Sequence, residues 1–345
     1  MPLLEGSPEG TAPAPASGRP VRLPQNIGHR GFKAAFPENS MAAFHGAVAA
    51  GAHAIETDVH LSRDGVVVLS HDPTLKRCFG LPDKIIDCDW SYLRTVKTIQ
   101  EPHQRMPRLL DLLEWLTQPG LESMWVLLDI KTDDDPELLL PAIARTIASV
   151  PSVDGRPWSE RIVLGAWNEN YINHSRLHLP SFPLAYIGFS LLYARRFLSD
   201  NHPDVHFNLF QPTLVGPIGA RFRREVRRRG RKLFVWTVNE EQWMEWSIRK
   251  GVDGVITDEV GRYKKVRDGF DDALVGSDGQ EGAMKMAGGR QSRNQISWPR
   301  KLKLYAKAIM LQGGAMLLAL LIWRRLSTRG RKKGGAMGKL VLGET

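Results

Sequence analysis

Eight short apolar runs, at 26–30, 54–59, 125–130, 161–166, 184–188, 206–210, 233–238 and 253–257, recur along the chain with helical patterns between them. Strands that alternate with helices join one sheet in parallel, and eight such units close on themselves. The predicted fold is therefore α/β, a TIM-type (β/α)8 barrel. The helical stretches carry their own punctuation. Ser40 can cap 41–50, where Phe44, Ala47 and Val48 share a face, and Gly51 ends it. Pro107 leads into Leu109, Leu110, Leu112, Leu113 and Leu116 at helical spacing. With 345 residues, 42% of them hydrophobic, the chain can fill one large core.

The strand ends are charged. His29-Arg30 follow the first run, Glu56 and Asp58 close the second, Asp129 and Lys131 the third, and Trp236 the seventh. In a barrel of this kind these ends face the catalytic mouth, so residues two hundred positions apart would meet there. Charges at the ends of buried strands are costly unless paired or bound to metal. A further run, 66–71, ends in His71-Asp72. The turn Ser62-Arg63-Asp64-Gly65 before it signals a hairpin. Pairing 61 with 66 would set 58 opposite 69 and 56 opposite 71, placing His71 beside Glu56 on the face that also holds Asp58 and His60. The 66–71 arm fits either a hairpin above the barrel or a strand of it. Two imidazoles suit acid and base work near neutral pH, and clustered carboxylates suit a hard divalent cation. The combination points to metal-assisted cleavage of a phosphate ester.

The ordered motifs Gly28-His29-Arg30-Gly31, Pro37-Glu38-Asn39-Ser40, Ile55-Glu56-Thr57-Asp58-Val59, Asp64-Gly65, His71-Asp72, Leu128-Asp129-Ile130-Lys131, Val235-Trp236-Thr237-Val238-Asn239 and Gly251-Val252-Asp253-Gly254-Val255-Ile256-Thr257-Asp258 resemble the glycerophosphodiester phosphodiesterase family. The resemblance covers about 24–265 and implies a PLC-like phosphodiesterase barrel. It implies that Glu56, Asp58 and Asp129 bind Mg2+ or Ca2+, although the family usually has Glu where this chain has Asp129. His29 and His71 match the acid/base pair, with Arg30 beside them on the phosphoryl oxygens. Arg30, Lys131, Trp236 and Asn39 would contact substrate; helix capping is an equal reading for Asn39. Trp167 is a further pocket candidate. His45, His60, His103, His174, His178, His202 and His206 receive no role.

The formal charge of +10 belongs to one end of the chain. Residues 281–345 hold 14 Lys/Arg against two acidic residues, which leaves the other 280 at −2. No basic groove with interleaved aromatics accompanies it, so nucleic acid is not an expected partner. Residues 1–22, rich in Pro, Gly and Ala, read as a disordered leader, 23–265 as the barrel, and 266–300 as a polar linker. Cys78 and Cys88 read as two reduced thiols facing cytosol. Within 301–325 an apolar stretch, 304–323, approaches spanning length, and 326–345 is a basic tail. The segment reads as a membrane anchor, spanning or lying in the interface. It lies 22 residues from the last residue, so post-translational insertion into endoplasmic reticulum, mitochondrial outer membrane or lipid droplet is expected, with the catalytic domain cytosolic. The arginine-rich run 221–229 reads as a solvated helix face or a contact for anionic headgroups. Together with the tail, the family resemblance looks most like the fungal phosphatidylglycerol phospholipase C branch. The expected reaction converts an anionic glycerophospholipid, phosphatidylglycerol, to diacylglycerol and glycerol 3-phosphate. Hydrolysis of soluble glycerophosphodiesters or of lysophospholipids (lysophospholipase D type) is the alternative, and a catalytically silent membrane scaffold is the reading from another class.

Overall fold

A computed structural model describes residues 22–153 and 155–275, together with Met310. Its strands are β1 Gln25–His29, β2 Ala54–Leu61, β3 Val67–Leu69, β4 Trp125–Ile130, β5 Ile162–Ala166, β6 Leu184–Gly188, β7 Val205–Phe210, β8 Leu233–Trp236 and β9 Gly254–Thr257. All but β3 run parallel in the order β1-β2-β4-β5-β6-β7-β8-β9, and β9 returns to β1 with Ile27 opposite Ile256. The expected eight-stranded barrel is present, and the extra arm is a hairpin. β3 pairs antiparallel with β2, while its far edge meets the segment before the helix Leu109–Leu116 through the Leu69 N–H and the Pro107 carbonyl.

Side-chain period two sorts every strand into an outward and an inward set. The outward set packs the barrel against its helices, where Leu109, Leu112, Leu113 and Leu116 are fully buried on one helix. The inward set fills the barrel with Ile27, Ala54, Trp125, Leu127, Val163, Ala185, Ile187, Phe234 and Ile256. Two residues further along the same inward rows stand His29, Glu56, Asp129, Trp236 and Asp258, so the apolar plug is the floor on which the polar groups sit.

Local sequence explains how β1 delivers its residues. The chain folds back after Gly28, where a side chain would meet the Gly31 carbonyl oxygen at 2.8 Å. Gly31 adopts φ +82° against Ala43, which no L side chain would fit. Ser40 caps the following helix, Met41–Ala49, by accepting from the Ala43 N–H at 3.1 Å.

Two boundaries differ from expectation. The hairpin register is shifted by one residue: Leu61 faces Val67 and Val59 faces Leu69. The loop is Arg63-Asp64-Gly65, closed by the Ser62 N–H to the Val66 carbonyl and by the Val66 N–H to Ser62 Oγ, with Gly65 at φ +81°. A three-residue loop with a left-handed glycine displaces the register that a four-residue turn would set. The helix Val260–Val275 also continues past 265, where a linker was expected to begin. Cys78 and Cys88 are unlinked. Among the described residues no helix is long and apolar enough to cross a membrane. The 304–323 stretch apart from Met310, the leader through residue 21 and the basic tail lie outside the described residues.

Candidate active site

At the carboxyl ends of the strands a cavity of about 80 Å3 is lined by His29, Arg30, Glu56, Asp58, His71, Asp129, Lys131, Trp167, Ile187, Asn208, Trp236 and Ile256. It thus gathers every candidate except Asn39. Its wall is divided. Strands β1, β2 and β4 supply the charges, whereas β5 to β9 supply Trp167, Ile187, Trp236 and Ile256, with Asn208 between them.

Glu56, Asp58 and Asp129 bring one oxygen each within 4.8 Å of one another, all three residues buried. The shorter Asp129 side chain therefore stays in the set. Burial and the neighbouring carboxylates push Glu56 well above the usual carboxylate range, and burial also raises Asp129. Asp58 is held low: burial opposes its charge, but Lys131 and Arg30 outweigh it. Lys131 Nζ lies 2.7 Å from both Asp58 Oδ1 and Asp129 Oδ2. Fully ionised, three carboxylates against Arg30 and Lys131 leave one net negative charge. A divalent cation on this oxygen donor set would turn that into one net positive charge, the sign a phosphodiester anion requires. The residues present fit such an ion. Asp129→Glu is expected to shift metal affinity or the Mg2+/Ca2+ preference, since ion choice follows ligand reach; superimposable metal titrations of the two proteins would make residue 129 purely structural.

Around the carboxylates lies a scaffold that the sequence only partly disclosed. Arg30 has φ +54°, a backbone shape that turns its N–H onto Glu56 Oε2 at 2.9 Å and its Nε to 3.3 Å from Asp58 Oδ2. Asn39, also left-handed at φ +52°, donates from Nδ2 to Asp58 Oδ2 at 2.8 Å and accepts from Thr57 Oγ1 at 2.7 Å. Buried and absent from the cavity wall, Asn39 fixes a carboxylate, which corrects both its expected substrate contact and the capping alternative; Ser40 is the cap. Trp167 Nε1 donates to Asp129 Oδ1 at 2.7 Å, so this tryptophan orients a carboxylate as well as lining the cavity.

Each cavity histidine has its Nδ1 on a carboxylate. His29 Nδ1 lies 2.6 Å from Asp258 Oδ1, and His71 Nδ1 lies 2.7 Å from Asp72 Oδ1. A carboxylate accepts only, so Nδ1 carries hydrogen and Nε2 is left for the cavity. Asp72 is tied to Arg77, Arg77 to Glu38, and Glu38 to Arg30, with N–O distances from 2.7 to 2.9 Å. Burial would raise Glu38, but Arg77 and Arg30 hold it at about 2. His71 reaches the cavity from the loop after β3 rather than as a sheet neighbour of Glu56. His60, given no role, is buried with Nδ1 2.6 Å from Asp134 Oδ2 and Nε2 3.3 Å from the His71 carbonyl oxygen, bracing that loop against the segment after β4. Sequence reading missed Asp258, Arg77 and Asn208. Asp258 was visible as the charged end of β9; nothing local distinguished the other two. Asn208 is buried on the cavity wall with its Oδ1 lacking a hydrogen-bond partner among the described residues.

Residues 29–262 match the model of the glycerophosphoryl diester phosphodiesterase family. A protein of Mycobacterium tuberculosis named probable glycerophosphodiester phosphodiesterase 2 is 30% identical over 258 residues, covering 70% of this chain and 89% of that one. Glycerophosphodiester phosphodiesterase of Caldanaerobacter subterraneus is 27% identical, covering 68% of this chain and 93% of its own. Lysophospholipase D of Rattus norvegicus is 25% identical, over 70% of this chain and 86% of its own. Among solved structures, a phosphodiesterase of Oleispira antarctica in complex with the product sn-glycerol-3-phosphate superposes with a TM-score of 0.62 at 21% identity, covering 71% of this chain and 97% of that one.

Proposed function

Since this chain belongs to the glycerophosphoryl diester phosphodiesterase family and is a phosphoric diester hydrolase, we propose that it cleaves a membrane glycerophospholipid, phosphatidylglycerol, to diacylglycerol and glycerol 3-phosphate. The observation that carries the chemistry is the pairing of two carboxylate-oriented imidazoles across one cavity from three clustered carboxylates. That constellation also sets aside the silent-scaffold reading.

The nucleophile is the substrate's own glycerol hydroxyl, on the carbon next to the one bearing the phosphate. Burial lowers His29, partly offset by Asp258, so its neutral form is favoured and it takes the hydroxyl proton. His71, across the cavity, protonates the departing alcohol. The P–O bond to the hydroxyl forms as the bond to the alcohol breaks, leaving a cyclic glycerol phosphate that water opens with the histidines exchanging roles. Arg30 and Lys131 face the phosphoryl oxygens, where a guanidinium and an ammonium stabilise developing charge. Glu56, Asp58 and Asp129 would hold Mg2+ or Ca2+, whose positive charge would add to that stabilisation. Asn208 offers its amide oxygen, which has no partner among the described residues, to a glycerol hydroxyl, and Trp236 walls the glycerol.

This chemistry needs a free hydroxyl beside the phosphate-bearing carbon. Phosphatidylglycerol has one in its headgroup, and lysophospholipids have one on the glycerol backbone. The resemblance to proteins named lysophospholipase D supports the second substrate class as directly as the first. Purified protein offered phosphatidylglycerol, lysophosphatidylcholine, glycerophosphocholine and diacyl phosphatidylcholine, each with and without chelator, tests this. We expect chelator-sensitive cleavage of phosphatidylglycerol with diacylglycerol released, and inert diacyl phosphatidylcholine; cleavage of the lysolipid alone would replace the substrate assignment.

The 304–323 stretch supports attachment to a cytosol-facing membrane of the endoplasmic reticulum, mitochondrial outer membrane or lipid droplet, with the barrel in the cytosol. Deleting 301–345 should release a barrel that still cleaves detergent-dispersed lipid. A truncated protein that stays on membranes through high-salt washing would place the anchor elsewhere.

A further inference from the structure

The cavity is too small for diacylglycerol. About 80 Å3 accommodates a few waters or a phosphate with part of its glycerol, so acyl chains must remain outside. They would leave over the apolar half of the wall, where Trp167, Ile187 and Trp236 line the β5–β8 side. Just outside that side, two successive loops carry large apolar side chains in solvent. After β6, Phe189 is 37% exposed and Leu192 is 60% exposed; after β7, Ile218 is 71% exposed in the first turn of the helix Gly216–Arg228. Both loops follow the carboxyl ends of adjacent strands, so both stand on the mouth.

Charge follows the same plan in each loop. Arg195 lies three residues after Leu192, and Arg221 three after Ile218, one helical turn away in each case. Arg195, Arg221 and Arg224 are exposed and make no ion pair among the described residues. The acids on the neighbouring elements are already engaged, Glu225 with Arg228 and Arg229 and Glu169 with Arg196, so among the described residues nothing neutralises the three arginines. An apolar side chain followed one turn later by a free cation is the arrangement that inserts below anionic headgroups while contacting them.

We propose that the β6–β7 sector of the mouth is a docking surface for an anionic phospholipid bilayer, and that lipid reaches the cavity across it. The proposal rests on the lipid-substrate reading above. It places membrane contact on the barrel itself, next to the cavity, in addition to any anchor at 304–323.

Two measurements on the full-length chain test it. In the first, initial rates of Leu192→Ser/Ile218→Ser and Arg195→Gln/Arg221→Gln are compared with wild type on phosphatidylcholine vesicles containing phosphatidylglycerol and on soluble glycerophosphoglycerol. At about fivefold per arginine, the arginine pair should cost about 25-fold on vesicles. The soluble rate should be unchanged in both variants. Equal vesicle rates for wild type and both variants would overturn the proposal. In the second, an environment-sensitive fluorophore is placed on Leu192→Cys in a Cys78→Ser/Cys88→Ser background. A blue shift is expected with phosphatidylglycerol-containing vesicles and a smaller one with phosphatidylcholine alone. No shift with either would overturn the docking surface, and an equal shift with both would overturn its preference for anionic lipid. The fluorophore reports contact whether or not lipid is hydrolysed, so failure of the substrate assignment is distinguishable from failure of the surface.

Discussion

Replacement of either His29 or His71 by Ala is expected to lower turnover at least about 100-fold, the usual cost of losing a general acid or base. Both variants should remain folded, because neither imidazole belongs to the apolar plug. The His71 side chain is 36% exposed and sits on a loop held independently by the Ser70 N–H to the Asp58 carbonyl and by His60. His29 leaves behind an Asp258 that retains Asn239 and has Lys33 3.9 Å away, so no carboxylate is stranded. Phosphorylated product released from glycerophosphodiester, read beside thermal unfolding, separates chemistry from stability. The double variant should be little slower than the worse single one, because the two groups act on one proton-transfer sequence. Near wild-type turnover in either single variant would exclude that histidine from the reaction.

The barrel was legible because period two and period 3.6 are local properties. Each of the eight runs needed only its own residues to be recognised, and the order of a right-handed α/β barrel then follows. The clustered carboxylates and the cavity histidines were legible for a related reason: charge at the end of an apolar strand is conspicuous wherever it occurs. Contacts that depend on closure were not. His29 and Asp258 are 229 residues apart and meet only because β9 returns to β1. Trp167 and Asp129 meet only because β4 and β5 run in register, Asp129 opposite Gly165.

The hairpin shows where local reading fails. Asp64-Gly65 marked a turn correctly, but loop length decides register, and one residue of slip moves every side chain to the opposite face. His71 stays in the cavity because it lies beyond β3, in a loop that the register does not govern. Asn39 illustrates a different limit. A polar residue before a helix reads equally well as a cap, a substrate contact or a carboxylate partner, and only the left-handed backbone that aims it at Asp58 decides between them.

Asp258→Asn should lower kcat by about 100-fold or more, because the same exchange in a serine-protease triad costs about 10⁴ by imposing the wrong histidine tautomer. Asp258 is a positioning residue. Burial opposes its charge, but His29 and Lys33 hold its carboxyl below the usual range, so it is an acceptor toward His29 Nδ1. Its second oxygen accepts from Asn239 Nδ2 at 2.7 Å, and Asn239 Oδ1 accepts from the Asp258 N–H at 2.9 Å, which fixes which end of Asn239 faces it. An asparagine at 258 must give its carbonyl oxygen to that donor and therefore turns its amide hydrogens toward His29. Nδ1 is then forced to accept, the proton moves to Nε2, and the nitrogen facing the cavity can no longer take one from the substrate hydroxyl. KM should change little, since Asp258 does not line the cavity. Adding Asn239→Ala removes the donor that pins the amide, which can then flip and restore an acceptor to His29, so the double variant should be faster than Asp258→Asn alone. An Asp258→Asn enzyme with wild-type kcat, or a double variant slower than the single, would show that the tautomer of His29 is not set from β9.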